Sequence, residues 1–140
     1  MRILLTTSFL LFTLVSSSQT KSVTGKWKTI DDETDKPKSI VEIYEKEGKL
    51  FGTIKQLFRE PDEDQDPVCD DCTDYRKDKK IIGMTIITEM ERDGDQWSGG
   101  EILDPNNGKI YRCKIWVGDG NLKVRGYIAF FFRTQTWLPQ

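Results

Sequence analysis

Two cysteines separated by two residues, Cys69 and Cys72 in the stretch DPVCDDCTD, are the side chains of this sequence best placed to do chemistry. A pair at this spacing can be a redox centre, half of a zinc site or a structural disulfide. A redox centre needs a stabilised thiolate, which a helix N-terminus or cationic neighbours provide. The neighbours here are Asp70 and Asp71, and nearby carboxylates disfavour the thiolate. Dithiol catalysis is therefore not expected.

A metal site is not expected either. Structural zinc sites mostly use four Cys or His ligands, and this chain has three Cys and no His. The segment DEDQDP resembles the start of a calcium-binding loop, but Pro67 stands where that loop requires glycine. We therefore predict no metal or cofactor, and a disulfide between Cys69 and Cys72. A bridge from Cys72 to Cys113 would close a longer loop, but Cys113 is predicted to lie mid-strand and face inward.

The absence of histidine narrows the possible chemistry further. It removes the commonest general base, the commonest metal ligand, and the Ser-His and Cys-His nucleophile pairs. Because the sequence also contains no phosphate-binding loop or paired-carboxylate signature, we expect no enzymatic activity. The net charge is −2 at pH 7, so no nucleic-acid partner is expected. No basic amphipathic helix indicates binding to a membrane surface.

Residues 1–18, MRILLTTSFLLFTLVSSS, have the pattern of a secretory signal peptide: one Arg, an apolar run and small residues at the end. The apolar run from Ile3 to Val15 is shorter than the ~20 residues that span a bilayer. We therefore expect signal cleavage to leave no membrane-spanning segment. Residues 19–140 are expected to form a single domain exported to the periplasm or the cell exterior, where paired thiols tend to become disulfides.

The rest of the chain is a succession of short segments rich in Ile, Val, Thr, Tyr and Trp, separated by turn signals of Gly, Asn and Asp. Eight such segments at hairpin spacing predict an all-β fold, a small antiparallel up-and-down barrel, with a sandwich as the alternative. The predicted strands are residues 23–30, 39–45, 49–58, 80–90, 96–103, 109–117, 122–130 and 132–137.

Alternation of apolar and polar residues predicts which side chains face the core. In YRCKIWV the predicted inward side chains are Tyr111, Cys113, Ile115 and Val117. In KIIGMTII they are Ile82, Met84 and Ile86, with Ile81 and Ile87 as the set that a shift of one residue would select.

The longest predicted connection, residues 59–80, is acidic in its first part and basic at its end. Loops of this length are often functional lids or partner-binding sites. The alternative is a solvated loop that the disulfide tethers.

Several motifs resemble known families. Gly25-x-Trp27 in TGKWKT resembles the opening motif of lipocalin-type barrels, where the Trp plugs one end and a late basic residue, here Arg133, packs across the indole. Three longer segments resemble the bacterial family called domain of unknown function 2147: IVEIYEKEGKLFGTI, GGEILDPNNGKIYRCKIWV and LKVRGYIAFFFRTQTW. This resemblance runs from Gly25 to Trp137. It implies small exported proteins with a lipocalin-like (calycin-like) β fold and no established activity, so it transfers no catalytic residues.

The predicted barrel is compatible with two functions, because eight strands leave room either for packed side chains or for one small ligand. The first, which we favour from the sequence, is binding of a small apolar or amphipathic molecule, with Arg125 available to anchor a carboxylate or phosphate. The apolar lining would then be Met84, Ile86, Tyr111 and Ile115. The second is an envelope protein with a solid barrel and no ligand, acting on a protein partner through its surface or through residues 59–80. The aromatic content of 11% favours a filled interior.

Overall fold

The computed structural model describes residues 22–140, and within them eight β-strands run antiparallel to their neighbours. Each strand pairs with the next along the chain and β8 pairs with β1, so the sheet closes into an up-and-down barrel. The predicted eight-stranded antiparallel barrel is confirmed. The strands are β1 (Gly25–Ile30), β2 (Pro37–Lys46), β3 (Lys49–Leu57), β4 (Thr85–Asp93), β5 (Gln96–Asp104), β6 (Lys109–Gly118), β7 (Asn121–Ile128) and β8 (Phe131–Pro139). The predicted signal peptide, residues 1–18, lies outside the described residues.

The connections alternate between the two ends of the barrel. Residues 31–36, 58–84, 105–108 and 129–130 connect strands at one end, which we call the mouth. At the other end, the closed end, residues 47–48, 94–95 and 119–120 form tight turns. Each of these three turns contains a glycine with positive φ, as the turn signals in the sequence predict.

Strand β6 has the predicted alternation. Cys113 and Ile115 face the interior and are 3% and 0% exposed. Ile115 pairs with Val124 of β7, which is also buried. Tyr111 and Val117 follow on the same inner face, because side chains two residues apart in a strand point the same way.

Strand β4 departs from the predicted register. Residues 81–84 form a turn instead of continuing the strand, which begins only at Thr85. Ile87 pairs with Ile102 on the inner face, so alternation places Ile86 on the outer face. The predicted inward set of Ile82, Met84 and Ile86 is therefore wrong. The turn, together with a register shift in the pairing of β3 with β4, displaces the strand by one residue.

Three tryptophans, Trp27, Trp97 and Trp137, are buried towards the closed end, at 2%, 4% and 2% exposure. The Trp27 Nε1–H donates a hydrogen bond to the Val23 carbonyl (2.8 Å). The guanidinium of Arg92 lies 5.5 Å from the ring centroid of Trp97, a cation–π distance. Trp27 thus helps to fill the end of the barrel, as the lipocalin-type motif implies.

The structure does not place Arg133 on the Trp27 indole, so that part of the prediction is wrong. Trp27 pairs with Pro139, whereas Arg133 lies six residues earlier on β8, towards the mouth. Its guanidinium binds Asp32 (Nη2–Oδ2 2.9 Å). Asp32 follows Trp27 by five residues, which corresponds to about 16 Å of extended chain. The register of the β1–β8 pair keeps the two side chains apart.

The connection from β3 to β4, residues 58–84, covers part of the outer wall of the barrel. Ile86 and Leu103 lie on the outer face, yet they are only 6% and 2% exposed. They belong to one apolar cluster with Cys69 and Cys72, which are 0% and 2% exposed. The connection is therefore packed against β4 and β5, and is not a solvated tether.

The predicted Cys69–Cys72 disulfide is confirmed, with the two Cα atoms 5.4 Å apart. Cys69 is also held by backbone hydrogen bonds, because its N–H donates to the Lys79 carbonyl and its carbonyl accepts from the Asp78 N–H (both 2.8 Å). Cys113 is free and buried. Burial raises the pKa of its thiol to about 12, so at neutral pH it behaves as a small apolar side chain.

Arg76 fixes the far end of the connection, and sequence analysis did not find it. Its guanidinium is buried and donates to both Asp74 carboxylate oxygens, with the shortest distance 2.7 Å from Nη2 to Oδ2. Nη1 donates to the Thr85 carbonyl at the start of β4 (2.9 Å). Hydrogen bonding from Arg76 lowers the pKa of Asp74, so the pair persists through the neutral range and weakens only as pH falls through that lowered value.

Replacing Gly108 by Ala tests whether the connection is docked on the β5–β6 turn. A β-carbon at position 108 would overlap the Asp71 carbonyl oxygen. Gly48 is the matched control, because it also has positive φ but a β-carbon there meets no atom within 4 Å. Both variants carry the backbone strain, so Gly108→Ala should lower the free energy of unfolding by about 1–3 kcal/mol more than Gly48→Ala, from overpacking. Urea denaturation measures both, and equal losses would contradict the docked arrangement.

Reduction of the disulfide should lower the free energy of unfolding by about 2 kcal/mol, the loop-closure contribution of so short a ring. The measurement is urea denaturation with and without a phosphine reductant, with thiol counting to verify reduction. A Cys69→Ala/Cys72→Ala variant is the control and should not respond to the reductant, since Cys113 is already a free thiol. A wild-type midpoint that stays unchanged after verified reduction would refute a stabilising role.

Candidate functional site

The interior of the barrel is filled by side chains. Those that face inward and are no more than 4% exposed are Trp27, Val41, Ile43, Leu50, Ile54, Ile87, Met90, Trp97, Cys113, Ile115, Leu122, Val124 and Trp137. An eight-stranded barrel is just wide enough to be filled in this way. The sequence left open whether the barrel is filled or hollow, and the packing along most of its length is that of a solid core.

The five predicted ligand-lining residues do not come together. Ile115 and Tyr111 face inward, but Ile115 is part of the packed core and Tyr111 lies near the mouth. Met84 lies in the turn before β4, Ile86 is on the outer face, and Arg125 is on the outer face of β7. The predicted cup is therefore wrong, because it placed side chains from both faces of the sheet on one surface.

Among the surface depressions of residues 22–140, two illustrate the available space, and neither is lined by Tyr111 or Ile115. One, of about 320 Å³, is lined by Tyr75, Arg76, Lys79, Lys80, Ile82, Gly83, Met84 and Thr85. The other, of about 420 Å³, is lined by Lys28, Lys36, Pro37, Leu57, Phe58, Arg59, Glu60 and Gln65. Both are open to solvent, and in residues 22–140 no three His, Cys, Asp or Glu side chains are grouped to hold a metal ion. The same residues include no helix long and apolar enough to cross a membrane.

The mouth is uncovered along β7 and β8. Gly126 pairs with Arg133 and Ile128 with Phe131, and these positions continue the inner face of the two strands. Arg133 nevertheless has a side chain that is 70% exposed, and Phe131 is 80% exposed. Tyr111, on the same inner face, is half-buried, and its hydroxyl accepts a hydrogen bond from Asn107 Nδ2 (3.2 Å). This part of the rim is therefore accessible to solvent.

The hairpin between β7 and β8 carries four of the ten large exposed apolar side chains within residues 22–140, including the two most exposed. We call residues 128–132 the aromatic tip. The exposed fractions are 52% for Ile128, 98% for Phe130, 80% for Phe131 and 60% for Phe132. Ala129 turns the chain with φ of 49°, a left-handed conformation that costs a residue with a β-carbon about 1–2 kcal/mol. Neither a non-glycine residue with positive φ nor a group of exposed phenylalanines stabilises the fold.

The tip extends beyond its neighbouring strand. β8 pairs with β1 only at Trp27 and Lys28, through Pro139 and Leu138. Within the described residues, 131–136 therefore have a ladder partner on the β7 side but none on the β1 side. The sequence signal for this exposure was the run Phe130 to Phe132, because three consecutive apolar residues cannot all face one side of a strand. Sequence analysis had counted these rings towards the core.

Arg125 lies on the outer face behind the tip, stacked between two rings. Its guanidinium carbon is 4.3 Å from the ring centroid of Phe132 and 5.0 Å from that of Trp116. Its Nε donates to the Thr134 hydroxyl (2.8 Å). Tyr127 packs against the same Phe132, with the ring centroids 6.1 Å apart. Its stacking holds the Arg125 guanidinium on the outer surface, away from the barrel interior.

Four cations share this outer face of β6 and β7, and we call Arg112, Lys114, Lys123 and Arg125 the basic face. The eight ion pairs within residues 22–140 include none of them. Glu101 is the cross-strand neighbour of Arg112 on β5 but lies beyond ion-pair distance. A chain with a net charge of −2 thus has a local surface of unpaired positive charge beside its exposed phenylalanines.

Comparison with solved structures identifies a similar fold in protein HP1028 from the human pathogen Helicobacter pylori, which belongs to the lipocalin family. The TM-score is 0.72 over 85% of this chain and 83% of that chain, and the sequences are 16% identical. At this identity the similarity establishes the lipocalin-like fold alone. No curated protein matches the sequence. The family model described as an uncharacterized protein conserved in bacteria (DUF2147) matches residues 25–138, and this chain therefore belongs to the DUF2147 family.

Proposed function

We infer that this protein is an exported binding module that acts through the surface at the mouth of its barrel and catalyses no reaction. The observation that carries this proposal is the contrast between a filled interior and the exposed aromatic tip. The side chains that fill the core are at most 4% exposed, whereas Phe130 is 98% exposed. Of the two functions compatible with the sequence, this contrast supports the one in which the barrel is a scaffold.

The filled interior argues against a carrier that holds an apolar molecule at its centre. A ligand there would have to displace packed residues such as Trp27 or Trp97, and removing a buried aromatic side chain from a core costs about 3–5 kcal/mol. A lipocalin-like barrel with an open interior can bind a ligand without displacing side chains. Several large side chains occupy the interior of this barrel.

The aromatic tip is the surface feature that supports a binding partner. Contiguous exposed apolar side chains mark interaction sites on soluble proteins. The strained turn at Ala129 supports this, because local strain persists where function requires a particular geometry. Both ends of the tip continue into paired strands of the barrel, which limits the backbone entropy that is lost on binding.

Export to the periplasm or the cell exterior belongs to the same proposal. A disulfide within the described chain is typical of oxidising compartments, and the family is bacterial. The pattern of residues 1–18 supports a signal peptide. The free thiol is buried at Cys113 with its pKa raised to about 12, which supports a function without nucleophilic chemistry.

A second candidate keeps the small ligand but places it at the rim. Arg133 lies on the inner face yet is 70% exposed, next to Phe131 and above the half-buried Tyr111. A guanidinium beside aromatic rings suits an amphipathic molecule with a carboxylate or phosphate group. Asp32 already pairs with Arg133, so such a ligand would have to compete with that carboxylate.

Native mass spectrometry distinguishes the two candidates. Protein purified from the exported fraction of a bacterial host should have the bare mass of the mature chain under native conditions, because the core leaves no room for a ligand. The rim ligand would be established instead by extra mass in the native spectrum that disappears on denaturation. That extra mass should be absent from Arg133→Ala and present in the control Arg59→Ala. Extra mass that both variants retain would place a ligand inside the barrel and contradict the surface proposal.

A further inference from the structure

We propose that the partner of this surface is an anionic lipid membrane, into which the aromatic tip inserts while the basic face binds lipid phosphates. This inference rests on the proposed function, since it names what the mouth surface binds. It is carried by three observations: apolar side chains on both faces of the hairpin, unpaired cations directly behind them, and acidic residues on the opposite wall of the barrel.

The first observation is that the tip has apolar side chains on both faces of the hairpin. Ile128 and Phe131 continue the inner face of the hairpin, Phe132 lies on its outer face, and Phe130 stands at the turn. A protein partner that packs on a sheet covers one face and leaves the other in water. A bilayer surrounds an inserted tip on all sides, so it can bury every one of these side chains.

The second observation is the distance between the apolar and the cationic side chains. Arg112 is paired with Tyr127, directly behind the tip, and Arg125 lies three residues, about 10 Å, from Ile128. The headgroup layer on each side of a bilayer is about 5–8 Å thick. A tip buried in the acyl boundary would therefore place both guanidinium groups near the phosphates, and Arg is suited to bidentate phosphate contacts.

Stacking prepares Arg125 for this role. Its contacts with Trp116 and Phe132 hold the planar group at the surface without a carboxylate partner. Lys114 and Lys123 lie further back on the same face and add attraction within a Debye length of the membrane. Two carboxylates lie next to this surface: Glu101 is opposite Arg112, and Asp32 is paired with Arg133. The face remains cationic after both are counted.

The third observation gives the orientation. The acidic part of the connection from β3 to β4 runs from Asp62 to Asp74, and it leaves the barrel at β3 and β4. In the closed strand order these strands lie across the barrel from β7 and β8. The acidic part extends from there over β4 and β5 as far as the β5–β6 turn, where Asp71 lies against Gly108. An anionic surface would therefore attract one wall of the mouth and repel the other, which tilts the molecule so that the aromatic tip leads.

Vesicle binding tests the proposal directly. The mature protein is sedimented with vesicles of phosphatidylcholine, and with vesicles of phosphatidylcholine mixed with phosphatidylglycerol, over a range of lipid and salt concentrations. We expect binding to the mixed vesicles that weakens with added salt. A Phe130→Trp reporter should show a blue-shifted emission with the mixed vesicles, since the side chain leaves water.

Two variants separate the roles of the tip and the basic face. Phe130→Ser/Phe131→Ser should weaken binding to the mixed vesicles at least about 10-fold, because two exposed rings no longer become buried. Arg112→Gln/Arg125→Gln should lose about fivefold for each side chain, on the mixed vesicles only. The matched controls are Tyr75→Ser, an exposed ring on the opposite wall, and Lys55→Gln/Lys79→Gln, two cations outside the basic face. Circular dichroism confirms that each variant is folded.

Either of two results overturns the membrane proposal: no binding to the mixed vesicles, or binding that the tip variant leaves unchanged. If gel filtration instead shows a dimer that Phe130→Ser/Phe131→Ser dissociates, without vesicle binding, the tip contacts a second copy. The surface function then survives while the lipid inference fails. If the protein binds no vesicles and native mass spectrometry finds a ligand inside the barrel, the surface function fails as well.

Discussion

Closure of the sheet is the constraint on which the rest of this structure depends. Once eight strands close, the width of the interior is set, and the choice of inward side chains decides whether any space remains. This chain commits Trp27, Trp97 and Trp137 to the interior, and Met90 and Ile115 are fully buried beside them, with Ile115 paired directly with Trp97. With the core occupied, the surface function that we propose has to use the connections and the outer faces of the strands, where the aromatic tip and the basic face lie.

The seam that closes the barrel also exposes the tip. The ladder between β8 and β1 is confined to Trp27 and Lys28, and β1 itself ends two residues later, at Ile30. β8 continues towards the mouth without β1, and the hairpin that it forms with β7 projects from the rim. A longer β1 would pair this edge and shield the inner face of Phe131. The length of one strand therefore links the architecture of the barrel to the surface that we propose as its functional site.

Sequence patterns were most informative where a single rule acted. Alternation fixed the inner face of β6, and turn glycines fixed the closed end. Prediction failed where two effects competed: the turn before Thr85 moved β4 by one residue, so Ile86 faced outward although it is buried. Arg133 was assigned by motif position, but the register of β8 decides its neighbour. The buried Arg76 had no sequence signal, because its partners come from the fold of the connection itself.

Net charge was the least reliable guide to partners. At −2 the whole chain is mildly acidic, which argues against an anionic partner if charge is treated as uniform. The fold separates the charges: acidic residues lie in the connection from β3 to β4, and unpaired cations such as Arg112 and Arg125 lie on the outer face of β6 and β7. Fields at a surface fall off within about 8 Å at physiological salt, so a partner at the rim senses the local cations and little of the distant acids. Such a protein can remain soluble through its net charge and still present one wall that attracts anions.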